Sequence, residues 1–169
     1  LVVMDENTCV VEVARFFMNF IQNESCGKCT FCREGTLQML RILQRIVDGG
    51  GTEEDLDLLV EIGEMVQLGS LCGLGKSAPN PILSTLENFR EEYLMHVLDK
   101  RCPAGVCNNL RRFVIQADKC RHCAQCAKVC PANAITGSRT ESYRIDQGKC
   151  VKCGACLSAC RLDAIEEVY

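Results

Sequence analysis

Two runs of four cysteines with the same spacing lie thirty residues apart in the last third of the chain. The first is Cys120-x2-Cys123-x2-Cys126-x3-Cys130, and the second repeats it from Cys150 to Cys160. The apolar residues around each run recur at the same interval, as the pairs Phe113/Tyr143, Ile115/Ile145, Ala134/Ala164 and Ile135/Ile165. A solenoid needs at least three units, so two units predict a pseudo-twofold domain over residues 113–169. Each unit is expected to contain a strand (residues 113–117 or 143–146), a cysteine loop, a short helix and a second strand.

Both runs have the spacing of two-cluster bacterial ferredoxins, in which three cysteines bind one 4Fe–4S cluster and the fourth binds the other. One cluster is therefore assigned Cys120, Cys123, Cys126 and Cys160, and the other Cys150, Cys153, Cys156 and Cys130. A zinc ribbon is the alternative, but its ligands would form two Cys-x2-Cys pairs rather than two runs of four. Arg161 stands where Pro131 follows the first run, which changes the charge near one cluster without removing a ligand.

A third group of cysteines, Cys26, Cys29 and Cys32, directly precedes a predicted helix. The free N–H groups at the start of a helix favour an anion, and a cluster ligated by thiolates is one. Cys72 is the best candidate for the fourth ligand, because the glycines that follow it allow a close approach of the backbone. The spacing alone leaves a zinc site or buried thiols as alternatives.

Apolar periodicity predicts four helices in the first hundred residues: near 10–20, over 33–47, from Thr52 to about 67, and from Asn80 to about 97. The expected apolar face of the first helix is Val10, Val13, Phe16, Phe17 and Phe20, and that of the fourth is Ile82, Leu86, Phe89, Tyr93 and Val97. Four such helices predict a small bundle. The expected class is α+β, with a helical iron–sulfur domain over 1–99, a linker over 100–112 and a ferredoxin-like domain over 113–169.

Three of the fifteen cysteines remain after these assignments: Cys9, Cys102 and Cys107. Cys102 and Cys107 flank a turn that contains proline and glycine, and His96 lies six residues upstream. Together the four residues form a Cys3His set, which zinc prefers. We therefore predict a redox-silent zinc clasp between the two domains. The alternative is a surface histidine with free thiols or a disulfide.

Composition excludes several other classes of protein. The net charge of −3 and the scattered basic residues give no nucleic-acid patch, and every long apolar stretch is interrupted by charges, which excludes a membrane span. The odd number of cysteines argues against a disulfide scaffold, and thiols that bind metal predict a reducing, cytoplasmic setting. Gly73-x-Gly75 is only a near match to a dinucleotide fingerprint, so we expect no FMN or NAD pocket in this chain. The chain begins at Leu1, and we expect it to be part of a longer protein.

The segment ESCGKCTFCREGT (24–36), with SLCGLG (70–75), resembles the C-terminal helical domain of the flavin-bearing, NADH-oxidising subunit of respiratory complex I. In that family the four matching cysteines hold a 4Fe–4S cluster that takes electrons from FMN; Phe31 stands where the family commonly has proline. A ferredoxin domain attached through a CPAGVC loop (102–107) resembles the beta subunit of multimeric NAD(P)-linked FeFe hydrogenases, including electron-bifurcating ones.

This resemblance implies a relay of three 4Fe–4S clusters between an upstream FMN and NAD(H) site and hydrogenase or ferredoxin partners. The implied partners are a catalytic FeFe subunit, a thioredoxin-like 2Fe–2S subunit and soluble ferredoxin. No residue of the chain is expected to act as a general acid, base or nucleophile. The alternatives are a subunit of an NAD-linked formate dehydrogenase or another NADH:ferredoxin oxidoreductase, or a scaffold in which the clusters are structural.

Overall fold

A computed structural model describes residues 3–5 and 7–169 and divides the chain into two compact units, Leu1–Leu110 and Arg111–Tyr169. The first unit is helical, and the second combines short helices with small antiparallel sheets. The expected α+β class is thereby confirmed. Cys102 and Cys107, which belong to the predicted linker, pack in the hydrophobic core of the first unit.

The helices of the first unit are α1 (Val10–Glu24), α2 (Thr30–Val47), α3 (Glu53–Gly69), α4 (Gly73–Ser77), α5 (Asn80–Asn88) and α6 (Arg90–Leu94), followed by a π-helical turn (Met95–Asp99) and a 3-10 turn (Asn108–Leu110). Helix α2 packs against α1 and against α3. The predicted capping box of α3 is present, because the backbone N–H of Thr52 donates to the Asp55 carboxylate at 2.9 Å. Arg45 of α2 forms an ion pair with the same carboxylate, which fastens the end of one helix to the start of the next.

The apolar face predicted for α1 is correct at Val10 but wrong at Phe16 and Phe20. Phe16 and Phe20 are 62% and 55% exposed, whereas the buried side chains are Val10, Val11, Ala14 and Met18. Both sets recur at helical spacing, so periodicity alone does not choose between the two faces. The smaller side chains, together with the flexible Met18, form the side that packs in the core, and Phe16 contacts Phe17 edge to face at the surface.

The predicted fourth helix is broken into three pieces. At Phe89, between α5 and α6, the backbone leaves helical geometry (φ −132°, ψ 34°), and its side chain is 43% exposed rather than buried as predicted. After the break the side chain of Tyr93 packs in the core with its hydroxyl 2.9 Å from Thr85 Oγ1. The π-helical turn that follows holds His96, whose side chain is fully buried. Such turns interrupt helices most often at functional sites.

The second unit contains β1 (Arg112–Ile115), α7 (Gln125–Lys128), β2 (Ile135–Thr136), β3 (Arg144–Ile145), α8 (Ala155–Ala159) and β4 (Ile165–Val168). The strands expected before and after each cysteine run are present, although they are shorter than predicted. Strand β1 pairs with β4, and β2 pairs with β3, both antiparallel. The first strand of each repeat therefore pairs with the second strand of the other repeat.

The core of the second unit follows the thirty-residue repeat. Its buried members form three equivalent pairs: Phe113/Tyr143, Cys126/Cys156 and Ile135/Ile165. The backbone repeats as well, because positive φ angles occur at matching positions: His122/Lys152, Ala124/Gly154 and Asn133/Asp163. Equal sequence spacing has thus produced two copies of one backbone path, with the cysteine loops curled in the same way.

Candidate metal centres

The cysteines of the two ferredoxin-like runs lie around the symmetric core of the second unit. A cavity in this unit is lined by Cys120, Cys123 and Cys126 of the first run and by Cys160 of the second. These four residues are the ones that the sequence assigns to one 4Fe–4S cluster. Apolar side chains, among them Ile115, Tyr143 and Ile165, form much of the remaining lining, to which Arg121 and Gln125 also contribute. The thiols and the apolar surface beside them fit a cluster of this type.

The residues assigned to the other cluster lie in the equivalent positions. Cys130, Cys150 and Cys156 pack against the same core, whereas Cys153 is exposed. Backbone N–H groups approach two of these sulfurs: Ala134 N–H donates to Cys130 Sγ at 3.3 Å, and Lys152 N–H donates to Cys150 Sγ at 3.4 Å. Burial raises the pKa of the Cys126 and Cys156 thiols, so metal binding at these positions must displace a proton.

The loops are shaped by left-handed residues between the ligands. Ala124 and Gly154 have φ of 62° and 75° directly before α7 and α8. A residue in this conformation turns successive N–H groups toward one side of the loop, where they form a concave binding surface for anions. The loops therefore provide N–H donors as well as thiols for an anionic cluster.

The third group of cysteines lies where α2, α3 and α4 meet. Helix α2 begins at Thr30, three residues earlier than predicted, so Cys29 is its N-cap residue and Cys32 lies in its first turn. Cys72 is the N-cap residue of α4, a short helix where the sequence predicted a loop. Cys32 is buried and Cys29 half-buried, whereas Cys26 and Cys72 are exposed.

Close contacts of three glycines bring these segments together. A Cβ on Gly35 of α2 would lie 2.2 Å from Val66 Cγ2 of α3, and a Cβ on Gly69 would lie 2.3 Å from the ring of Phe31. A Cβ on Gly75 would lie 2.5 Å from Ser70 Oγ and 3.3 Å from Cys32 Cβ. The loop that carries Cys72 is therefore packed directly on the buried ligand of α2.

Hydrogen bonds tune the sulfurs of this third group. The backbone N–H groups of Gly75 and Leu74 hold the pKa of the Cys72 thiol below its ordinary value, which favours the thiolate that metals bind. Cys32 Sγ lies 3.4 Å from Ser25 Oγ, which in turn accepts a hydrogen bond from the Gly27 N–H. Sequence reasoning missed Ser25, and it missed Ser70, because neither residue belongs to a metal-ligand motif.

Cys9, His96, Cys102 and Cys107 form a buried tetrad, which we call the Cys3His tetrad. Their four ligand atoms all lie within 4.8 Å of one another. Cys9 Sγ lies 3.3 Å from His96 Nε2 and 3.7 Å from Cys107 Sγ, and Cys107 Sγ lies 3.5 Å from His96 Nε2. No cysteine assigned to a cluster belongs to such a close group within residues 3–5 and 7–169.

The surroundings of the tetrad orient the imidazole. His96 Nδ1 lies 2.7 Å from the backbone carbonyl oxygen of Glu92, to which it donates, and this leaves Nε2 facing the three sulfurs. Burial opposes a positive charge on His96, but hydrogen bonds with Cys102 and Cys9 outweigh it and raise its pKa to about 10. Hydrogen bonds from Cys107 and Cys9 lower the pKa of Cys102, which favours a thiolate within the tetrad. Gly105, with φ of 68°, forms the turn between the two linker cysteines.

Comparisons with known proteins agree with this division of the chain. Residues 12–96 match the NADH-ubiquinone oxidoreductase-F iron-sulfur binding region, and residues 112–161 match a 4Fe-4S dicluster domain. The chain is 48% identical over 165 residues to the NADP-reducing hydrogenase subunit HndC of Solidesulfovibrio fructosivorans, and this match covers 98% of the chain and 34% of the relative.

Other relatives match a smaller share of the chain. The matching NADH-quinone oxidoreductase subunit of Mycobacterium bovis is 45% identical over 103 residues, which covers 61% of the chain and 23% of that protein. A solved NAD+-reducing [NiFe]-hydrogenase in the H2-reduced state is 35% identical with a TM-score of 0.54, over 56% of the chain and 17% of the solved one. The chain thus spans about a third or less of the length of these relatives.

None of the helices described in residues 3–5 and 7–169 is both long and apolar enough to cross a membrane.

Half of the chain matches one iron–sulfur family, and the cysteines of that half lie at the start of α2 and of α4. The chain therefore belongs to the NADH-ubiquinone oxidoreductase-F iron-sulfur binding region family, with a 4Fe–4S dicluster domain attached behind it.

Proposed function

We propose that this chain is an electron-transfer module that binds three 4Fe–4S clusters and one structural zinc ion within an NAD(P)-linked oxidoreductase. The observation that carries the proposal is the cavity lined by three cysteines of one run and Cys160 of the other. A zinc ion bound by one run alone would not need the last cysteine of the second run. A two-cluster ferredoxin does need it, because each cluster takes its fourth ligand from the other run. Bound 4Fe–4S clusters supply one-electron redox chemistry.

The residues of this chain hold the clusters, limit their contact with water and set their electrostatic environment. In the second unit Phe113, Tyr143, Ile135 and Ile165 surround the cysteine loops with apolar surface. Backbone N–H groups directed at Cys130 and Cys150 stabilise negative charge on sulfur. Neither contribution requires a proton donor or acceptor in the chain.

The third cluster is proposed at Cys26, Cys29, Cys32 and Cys72. Its support is the start of α2 beside Cys29 and Cys32, the N–H groups at Cys72 and the glycine contacts that join both segments. The absence of a close group of these sulfurs among the described residues favours a cluster over zinc, because each thiolate of a cluster binds a different iron.

Zinc is proposed at the Cys3His tetrad because its distances fit a single tetrahedral ion. With Zn–S of about 2.3 Å and Zn–N of about 2.0 Å, tetrahedral geometry separates two sulfurs by about 3.8 Å, and sulfur from nitrogen by about 3.5 Å. The corresponding separations are 3.7 Å between Cys9 and Cys107, and 3.3 and 3.5 Å from these sulfurs to His96. The site is closed by burial of all four residues, as structural zinc sites are.

The proposed setting is a hydrogenase that reacts with NAD or NADP. The similarity to the NADP-reducing hydrogenase subunit covers 98% of the chain and so extends over both units, whereas the similarity to the quinone-reducing relative covers 61% of it. FMN and NAD(H) would bind a part of the longer protein that lies outside these 169 residues. The proposed partners are a catalytic FeFe subunit, a thioredoxin-like 2Fe–2S subunit and, if the enzyme bifurcates electrons, soluble ferredoxin.

Quantitation of iron, acid-labile sulfide and zinc in the anaerobically purified, full-length protein tests the cluster and zinc assignments. In the part that corresponds to these residues we expect about twelve irons, about twelve sulfides and one zinc. Paramagnetic resonance of the reduced protein should show one isolated 4Fe–4S signal and a magnetically coupled pair.

Two results would contradict the proposal. Zinc in place of iron at the cysteine runs would contradict the clusters, and iron with no zinc would contradict the tetrad assignment. Clusters that no NAD(P)H-linked donor reduces would instead favour the scaffold alternative. Co-purification with a hydrogen-activating subunit distinguishes a hydrogenase from a formate dehydrogenase.

A further inference from the structure

We infer that the hydroxyl groups of Ser70 and Ser25 donate hydrogen bonds to sulfur atoms of the cluster at Cys26, Cys29, Cys32 and Cys72, and thereby raise its reduction potential. This inference rests on the proposed function, since it requires a cluster at these four cysteines. It adds two positioned donors that belong to no ligand motif.

The first observation is a buried hydroxyl with no partner in the protein. Ser70 is 2% exposed, and its Oγ makes no hydrogen bond to any protein atom. A buried hydroxyl without a partner is unfavourable by about 1–3 kcal/mol, so native structures rarely contain one. Ser70 stands two residues before Cys72, so it belongs to the segment that supplies a proposed ligand of the cluster.

The position of Ser70 beside Cys32 follows from Gly75. A Cβ built on Gly75 would lie 2.5 Å from Ser70 Oγ and also 3.3 Å from Cys32 Cβ. Ser70 and Cys32 therefore both lie beside the same point of α4. The backbone of Ser70 is fixed there, because its N–H donates to the carbonyl of Val66 at 3.1 Å. A sulfur of the cluster that Cys32 binds is the partner that this arrangement leaves for the hydroxyl.

Ser25 provides the second donor. Its Oγ accepts the Gly27 N–H at 3.3 Å, which leaves its own hydrogen free to point at Cys32 Sγ, 3.4 Å away. Cys32 is the most deeply buried cysteine of the four, at 6% exposure, so water competes least at its sulfur. Two hydroxyl groups thus flank the one ligand that solvent reaches least.

The direction of the effect follows from charge. The reduced cluster carries one more negative charge than the oxidised cluster, so a donor at sulfur stabilises the reduced form more strongly. Removing one donor should therefore make reduction less favourable. We expect each Ser→Ala substitution to weaken the reduction equilibrium about tenfold, which corresponds to a 59 mV lower potential for one electron.

The test is a redox titration of the isolated 4Fe–4S signal, followed by paramagnetic resonance, in full-length protein carrying Ser70→Ala or Ser25→Ala. Ser77→Ala is the matched control, because its exposed hydroxyl already donates to the carbonyl of Gly73 at 2.8 Å within α4. Both test variants should show the lowered potential, and the control should keep the wild-type value. An unchanged potential in both test variants, with the signal intact, would overturn the inference while leaving the proposed cluster in place.

A second measurement covers the case in which a variant fails to bind the cluster. Exchange of the wild-type protein into D2O should remove strong exchangeable-proton couplings from the same signal beyond those of the Leu74 and Gly75 N–H groups at Cys72, since hydroxyl protons also exchange with solvent. Absence of any such coupling overturns the inference without the use of a variant. A wild-type protein that lacks this cluster altogether refutes the proposed site as well as the inference. A cluster that is present but has no such coupling refutes the inference alone.

Discussion

The glycine at position 75 provides the sharpest test of how the third cluster site is assembled. A Cβ at this position would lie 2.6 Å from Ser70 Cβ, whereas carbon atoms that are not bonded normally stay about 3.5–4.0 Å apart. Relief of this overlap requires a shift of about 1 Å between α4 and the chain at Ser70. Ser70 is buried and its N–H is bonded to the Val66 carbonyl, so α4 is the part that must move.

The expected cost is that of overpacking a tight contact, about 1–3 kcal/mol. Because Cys72 directly precedes α4, the movement displaces this ligand from Cys32. We therefore expect Gly75→Ala to lower the affinity for the third cluster, so that iron falls by about four per chain while the coupled signal of the other two clusters persists. The assay is iron quantitation after anaerobic purification, combined with paramagnetic resonance of the reduced protein.

Gly73→Ala is the matched control for this prediction. Gly73 lies in the same short helix, only two residues away, and a Cβ on it meets no atom within 4 Å. The Gly73→Ala protein should therefore keep the full iron content. Equal iron in both variants would refute the steric reasoning, and equal loss in both would show that backbone freedom rather than space is what the segment needs.

Three further predictions concern the other sites. His96→Ala removes the nitrogen ligand of the Cys3His tetrad and should abolish zinc binding while the iron content stays unchanged; elemental analysis decides, and zinc retained at full occupancy would contradict the assignment. Cys160→Ser should impair the cluster of Cys120, Cys123 and Cys126, whereas Cys130→Ser should impair the other cluster. Paramagnetic resonance spectra of the two reduced variants show which cluster is affected in each. Gly154→Ala places a side chain at φ of 75° and should lower the free energy of unfolding by about 1–2 kcal/mol, while Ala124→Gly at the equivalent position should not; chemical unfolding of the full-length protein measures both.

Sequence reasoning succeeded where the pattern is local. The cysteines of each run lie within a few residues of one another, so their spacing reflects the geometry of one loop, and the repeat predicted the symmetric core of the second unit. The Cys3His set was predicted by elimination, and the fold brings Cys9 next to His96 although 87 residues separate them.

Sequence reasoning failed where packing rather than spacing determines the local structure. For α1, periodicity fitted two faces, and only the shape of the space beside α2 and α5 selected the one with Ala14 and Met18. The break at Phe89 and the π-helical turn were not predictable, because no proline or glycine marks either place. Ser70 escaped notice for a similar reason, since a serine becomes informative only when its burial and lack of a partner are known.

The exchange of strands between the two repeats has a consequence for how the second unit is made in the cell. Ile115 finds its partner in Ile165, fifty residues later, so β1 remains without its pairing strand while almost the whole unit is synthesised. Neither half of this duplicated sequence is a self-sufficient folding unit, because each lacks a strand that the other supplies and, in the proposed assignment, one cysteine ligand. Both copies must therefore leave the ribosome before either loop can be closed, and loading of iron and sulfide into this unit is expected to follow synthesis of its second repeat.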